Sequence, residues 1–155
     1  MVPEFDDLSD SEVELMLKAP ILVCILIAGA DGNIDNMEIQ GAIGAANKNA
    51  RKSRAKLIEF YRLVSEDFED KLKVLIQSFP GDAKKRTALV VEELSQLNSV
   101  LSKVNRPFAV DFYKSIKEIA QMIAESSGGV LGLNKVGDEE AKLVGLSMIK
   151  DPSGL

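Results

Sequence analysis

The stretch APILVCILIAGADGNIDNMEIQGAI, from Ala19 to Ile43, carries the reading of the fold. Its first twelve residues, Ala19 to Ala30, contain no charged side chain. They fall short of the ~20 apolar residues a bilayer-spanning helix needs. A run that is apolar on every side is therefore expected as a helix at the centre of a folded domain. Ser11 with Glu14, or Ser9 with Glu12 in a competing register, forms a capping box to open that helix, which should run to about Gly29. Pro20 is expected either to kink it or to begin its second half. Beyond the corner, Asp35 and Glu38 repeat the capping pattern and open a helix from about Asn36 to Asn49. Its small residues, Gly41, Ala42, Gly44, Ala45 and Ala46, allow close helix approach, and its two glycines weaken it.

Working outward, apolar residues at Leu57, Tyr61, Val64, Phe68, Leu72, Leu75 and Phe79 keep one helical face in phase. One helix or two would satisfy that spacing, with Ser65 as a candidate internal cap. Pro80-Gly81 ends the segment, and Asp82 caps a helix carrying Val90, Leu94, Leu97, Leu101 and Val104. After a break at Asn105-Arg106-Pro107, a further helix places Phe112, Ile116, Ile119 and Ile123 on one face. SSGGVLGLNKVG is a glycine-rich loop. Asp138 then caps a last helix with Ala141, Val144 and Met148 inward, before a KDPSGL tail. No useful length alternates with period two, which predicts an all-α chain.

Composition narrows the chemistry. The 155 residues suit one domain, 1–155, with 1–8 and 151–155 as flexible tails. A net charge of -5 argues against specific nucleic-acid binding. The absence of His removes a Ser-His-Asp triad, a Cys-His pair and any His-ligated metal. Cys24, the one cysteine, cannot form an internal disulfide, and between Val23 and Ile25 it is expected as a buried, inert thiol. The start MVPEFDDLSDSEVE lacks the basic region of a signal peptide, so none is expected.

Two segments share one plan. ILIAGADGNIDNMEIQGAI reads as apolar helix, small residues, glycine, loop, acidic cap and helix, and QMIAESSGGVLGLNKVGDEEAKLVGL repeats that order with a longer loop. The first carries Ala30, Asp31, Gly32, Ile34 and Glu38 in an A-D-G-x-I-x-x-x-E pattern. The second carries Ser127-Gly128-Gly129, Leu131-Gly132 and Asp138-Glu139-Glu140. In these two motifs, their order and their separation, the chain resembles the TerB-like family of tellurite-resistance domains. The resemblance implies a cytoplasmic, non-enzymatic, all-helical stress-response protein, with acidic clusters at helix–loop junctions proposed to bind metal in some members. The second unit has Ser126-Ser127 where the first has Ala30-Asp31, so a second site would lack that carboxylate.

Two readings of the first corner stand side by side. Against an EF-hand loop, Asp31 takes the fifth position, Gly32 the sixth, Asp35 the ninth and Glu38 the twelfth. Positions one and three fall on Ile27 and Gly29, which offer no side-chain oxygen, whereas Ca²⁺ needs six to eight oxygens. The plainer reading makes Gly32 a helix C-cap, Asp35 and Glu38 a capping box, and Ile34 a plug. A cation site would need Asp31, Asp35 and Glu38 to converge with Asp138, Glu139 or Glu140, and would suit a hard ion, Ca²⁺ or Mg²⁺. Tellurite is an anion, so its capture by these carboxylates is electrostatically unfavourable.

A second candidate surface is basic. Lys48, Lys52 and Lys56 lie four apart among Arg51, Arg54 and Arg62. They form a solvated helix face or a docking surface for an acidic protein, nucleic acid or an anionic membrane bound peripherally, with no interleaved aromatics to stack bases. A second copy of the chain is a further admissible partner, and no transmembrane segment is expected. The glycine-rich loop lacks the Gly-Lys-Ser/Thr ending of a phosphate loop. The expectation is a single-domain helical bundle of about six or seven helices with two pseudo-repeated helix-loop-helix units. The function expected from the resemblance is that of a TerB-like tellurite-resistance or stress-response protein binding a divalent cation weakly; the alternative is an interaction or scaffold module using the basic face or the glycine-rich loop.

Overall fold

The computed structural model describes residues 5–28, 55–126 and 145–154. Among them the chain is helical, with no strand. The elements are α1 (Asp10–Ala28), α2 (Ala55–Glu66), α3 (Phe68–Ser78), α4 (Ala83–Ser95), the five-residue α5 (Leu97–Leu101), α6 (Arg106–Ser126) and a 3₁₀ turn (Pro152–Gly154). The helix expected over 36–49, the second helix-loop-helix unit and the internal repeat lie outside the described residues.

Helix α1 occupies the centre, as a helix apolar on every side must. Ala19 and every residue from Ile21 to Ile27 are buried, and α1 packs against all five other described helices. It opens in the Ser9 register rather than the Ser11 one. Ser9 Oγ accepts from the Glu12 N–H at 3.2 Å, and Glu12 Oε1 accepts from the Ser9 N–H at 2.9 Å, closing a capping box. The helix passes through Pro20 without ending, so the central helix stays a single element.

The face from Leu57 to Phe79 divides into two helices, α2 and α3, at Asp67, whose φ of -121° and ψ of 31° leave the helical region. Ser65 is not an internal cap. Its Oγ donates to the Tyr61 carbonyl at 2.9 Å, a back-bond of the kind that loosens a helix near its end. Asp82 caps α4 as its position requires, accepting from the N–H groups of Lys84 at 2.9 Å and Lys85 at 3.5 Å. The step from α4 to α5 is slight. Gln96 keeps helical angles and its N–H bonds the Glu93 carbonyl at 3.1 Å, so one tightened turn joins the two helices while Val90, Leu94, Leu97, Leu101 and Val104 are all buried. Asn105 caps α6, accepting from the Phe108 N–H at 2.8 Å, with Pro107 in the first turn where its missing donor costs nothing.

The aromatic side chains are few but gathered. Phe60 stands at their centre, edge-on to Tyr61 at 5.1 Å, Phe112 at 5.4 Å and Phe5 at 5.9 Å, with Phe108 closing the group 5.8 Å from Phe5. These T-shaped contacts put positive ring edges against negative ring faces. Phe5, in the segment expected as a tail, is thereby buried and ties the start of the chain to α2 and α6. At the other end, 145–150 is a turn rather than the end of a helix. Leu146 has φ of 52°, which no right-handed helix accommodates. Leu146 and Ile149 are buried there, while Met148, expected inward, is half-buried.

Candidate functional site

The carboxylates of Asp31, Asp35, Glu38, Asp138, Glu139 and Glu140, and the amines of Lys48 and Lys52, lie outside the described residues. So does the Lys56 side chain, although its backbone belongs to the first turn of α2. What can be built is the framework from which the two acidic motifs depart.

That framework is the pairing of α1 with α6. At one end, Lys103, just before α6, donates to Glu12 in the first turn of α1 at 2.6 Å. Phe5 meets Phe108 at the same end. Further along α6, the Tyr61 hydroxyl bonds Ser115 Oγ at 2.6 Å. The starts of α1 and α6 thus lie together, and α1 packs more extensively on α6 than on any other described helix. The two helices therefore run side by side in the same direction. The described part of α1 reaches Ala28, two residues before the Ala30-Asp31-Gly32 motif, and that of α6 reaches Ser126, directly before Ser127-Gly128-Gly129. Both motifs follow helices that point to the same end of the bundle.

Several of the described charges are held in ion pairs. The Arg62 guanidinium clasps Glu59 one turn earlier, at 3.1 Å from Nε and 2.5 Å from a terminal nitrogen, and holds the Glu59 carboxyl below its usual range. This neutralises one member of the basic group noted around Lys48, Lys52 and Lys56. Lys18 pairs with Glu93, joining α1 to α4. Lys103 draws the Glu12 carboxyl below its usual value, chiefly by its hydrogen bond. Among the described residues no three Cys, Asp or Glu side chains gather in a way that would hold a metal ion.

Two further polar groups, Cys24 and Tyr61, lie inside the core. Cys24 is fully buried, and burial pushes its thiol well above the ordinary range, so it is neither nucleophile nor thiolate ligand. The Tyr61 phenol is likewise raised, first by burial. Ser115, its partner, was not singled out in the sequence. The available signal was a small polar residue three positions after Phe112 and one before Ile116, on a face that otherwise faces inward. Asn98, flanked by buried Leu97 and Leu101, gave no signal at all, yet its side chain holds the C-terminal segment. No described helix is long and apolar enough to cross a membrane. No protein-family model, curated protein or solved structure matches the chain.

Proposed function

We propose that this chain is a non-enzymatic, TerB-like stress-response domain that binds a divalent cation weakly at its acidic helix–loop junctions. The reading rests on the two motifs, Asp31 to Glu38 and Ser127 to Glu140, and on one structural observation. The helices that precede them, α1 and α6, run in the same direction and lead toward the same end of the bundle. Chain leaving these adjacent helices at one end can bring Asp31, Asp35 and Glu38 toward Asp138, Glu139 and Glu140, and the first motif alone lacks the six to eight oxygens Ca²⁺ takes. The absence of His and the burial of Cys24 leave oxygen as the ligand chemistry, and with it Ca²⁺ or Mg²⁺ rather than a thiophilic metal.

Thermal unfolding of the wild type and of Asp31→Asn, each with Ca²⁺, Mg²⁺ or chelator, tests this. A cation at a hundredfold excess over its dissociation constant stabilises the folded chain by about 2.7 kcal/mol. The wild-type midpoint should rise and that of the variant should not. Midpoints that respond in neither protein would remove the cation site and return Asp31 to Glu38 to a capped corner, leaving the interaction-module reading.

A further inference from the structure

The last described segment, residues 145–154, contains bonds that close on themselves. The Ile149 N–H bonds the Leu146 carbonyl at 2.9 Å, and both the N–H and the hydroxyl of Ser153 donate to Asp151 Oδ1, at 2.9 and 2.7 Å. It meets the body of the protein through side chains. Leu146, Ile149 and Pro152, three residues apart, are all buried, and the 3₁₀ turn at Pro152–Gly154 rests on α6. Asn98 of α5 spans it with both ends of its amide. Nδ2 donates to the Met148 carbonyl at 3.0 Å, and Oδ1 accepts from the Lys150 N–H at 2.8 Å. A primary amide presents the same donor–acceptor pair as a peptide unit, so Asn98 supplies to this segment what a neighbouring strand would supply to an edge.

We infer that residues 145–154 form a latch that docks on and releases from the α5–α6 surface as one unit, with Asn98 as its positioning residue. Helix backbone bonds are internal to each helix. Releasing the latch therefore leaves those of the described helices intact; it uncovers the buried Leu146, Ile149 and Pro152 and the half-buried Met148, and breaks the two bonds to Asn98. The Asn98 amide bridges Met148 and Lys150 in the middle of the segment, so its loss loosens both sides together. Asp151 adds an attraction to the Lys114 and Lys117 ammonium groups of α6. Structure attached in this way belongs to the part of a protein that opens below the global unfolding free energy.

Hydrogen exchange of the full chain, read by mass spectrometry, tests the latch. In the wild type, amides of 146–154 should share one opening rate and exchange faster than those of α1 and α6. In Asn98→Ala the same amides should exchange together roughly tenfold faster or more, the loss of two modest hydrogen bonds, with α1 and α6 unchanged. Asn98→Asp keeps the acceptor for the Lys150 N–H and loses the donor to Met148, so it should fall between them. Protection of 146–154 equal to that of α1 in the wild type would overturn the inference, since the segment would then open only on global unfolding. Acceleration of α1 and α6 to the same degree in Asn98→Ala would overturn it equally.

Discussion

Replacing the two partners of the Tyr61–Ser115 bond should have unequal effects, and the geometry says which is worse. Tyr61 is fully buried and Ser115 nearly so. Ser115 Oγ lies 2.7 Å from the Phe112 carbonyl, which can only accept, so the single serine hydrogen is committed there. The 2.6 Å contact between the two hydroxyls therefore has Tyr61 as donor and Ser115 as acceptor. In Tyr61→Phe the serine keeps its bond to Phe112 and loses one incoming donor, a cost of about 1 kcal/mol. In Ser115→Ala the Tyr61 hydroxyl stays in the core with its proton unplaced, which costs about 1–3 kcal/mol in desolvation. For a chain of this size each kcal/mol lowers the melting midpoint by roughly 2–4 °C. The double variant Tyr61→Phe/Ser115→Ala removes donor and acceptor together, so it should be less destabilised than the sum of the singles and close to Tyr61→Phe alone. Urea unfolding followed by circular dichroism supplies all four stabilities, and the coupling energy follows from the cycle. If Ser115→Ala is no worse than Tyr61→Phe, and the two effects simply add, the donor assignment and the argument built on it are wrong.

Two further outcomes follow from named groups. Ser9→Ala should cost about 1 kcal/mol as the loss of a helix cap, while Ser11→Ala should stay within roughly 0.5 kcal/mol, and equal effects in denaturant midpoints would contradict the Ser9 register. Burial raises both the Cys24 thiol and the Tyr61 phenol above their unfolded values, so the folded chain holds these protons to higher pH than the unfolded chain does. The stability they contribute is fully present below the unfolded values, about 8.5 for a thiol and about 10 for a phenol, and is lost as pH rises past them. Urea midpoints of wild type should decline above about pH 9, and Cys24→Ala should lack the earliest part of that decline; parallel curves for the two proteins would argue against it.

Much of the architecture is written locally. The uncharged run from Ala19 to Ala30 announces a helix buried on all sides, and α1 is that helix. Asp82 and Pro80-Gly81 mark a boundary because a carboxylate at a cap and a proline at a helix end act on their immediate neighbours. The spacings of Val90 to Val104 and of Phe112 to Ile123 mark buried faces for the same reason, since helical phase is a property of the chain itself. Choices between near-equal local options were not legible. Ser9 prevails over Ser11, α2 separates from α3 at Asp67, and α1 continues through Pro20, each by differences that local pattern does not resolve.

The sequence by itself determined the helical character of the described residues, their central helix and the Asp82 cap, because each depends on neighbours within one or two turns. The tertiary structure alone decided that α1 and α6 run in the same direction, that Tyr61 finds Ser115 fifty-four positions away, and that Asn98 grips the backbone of Met148 and Lys150. Those pairings join segments whose separation along the chain carries no periodic signal. They arise only when burial of the apolar faces around α1 forces the remaining polar groups to find partners.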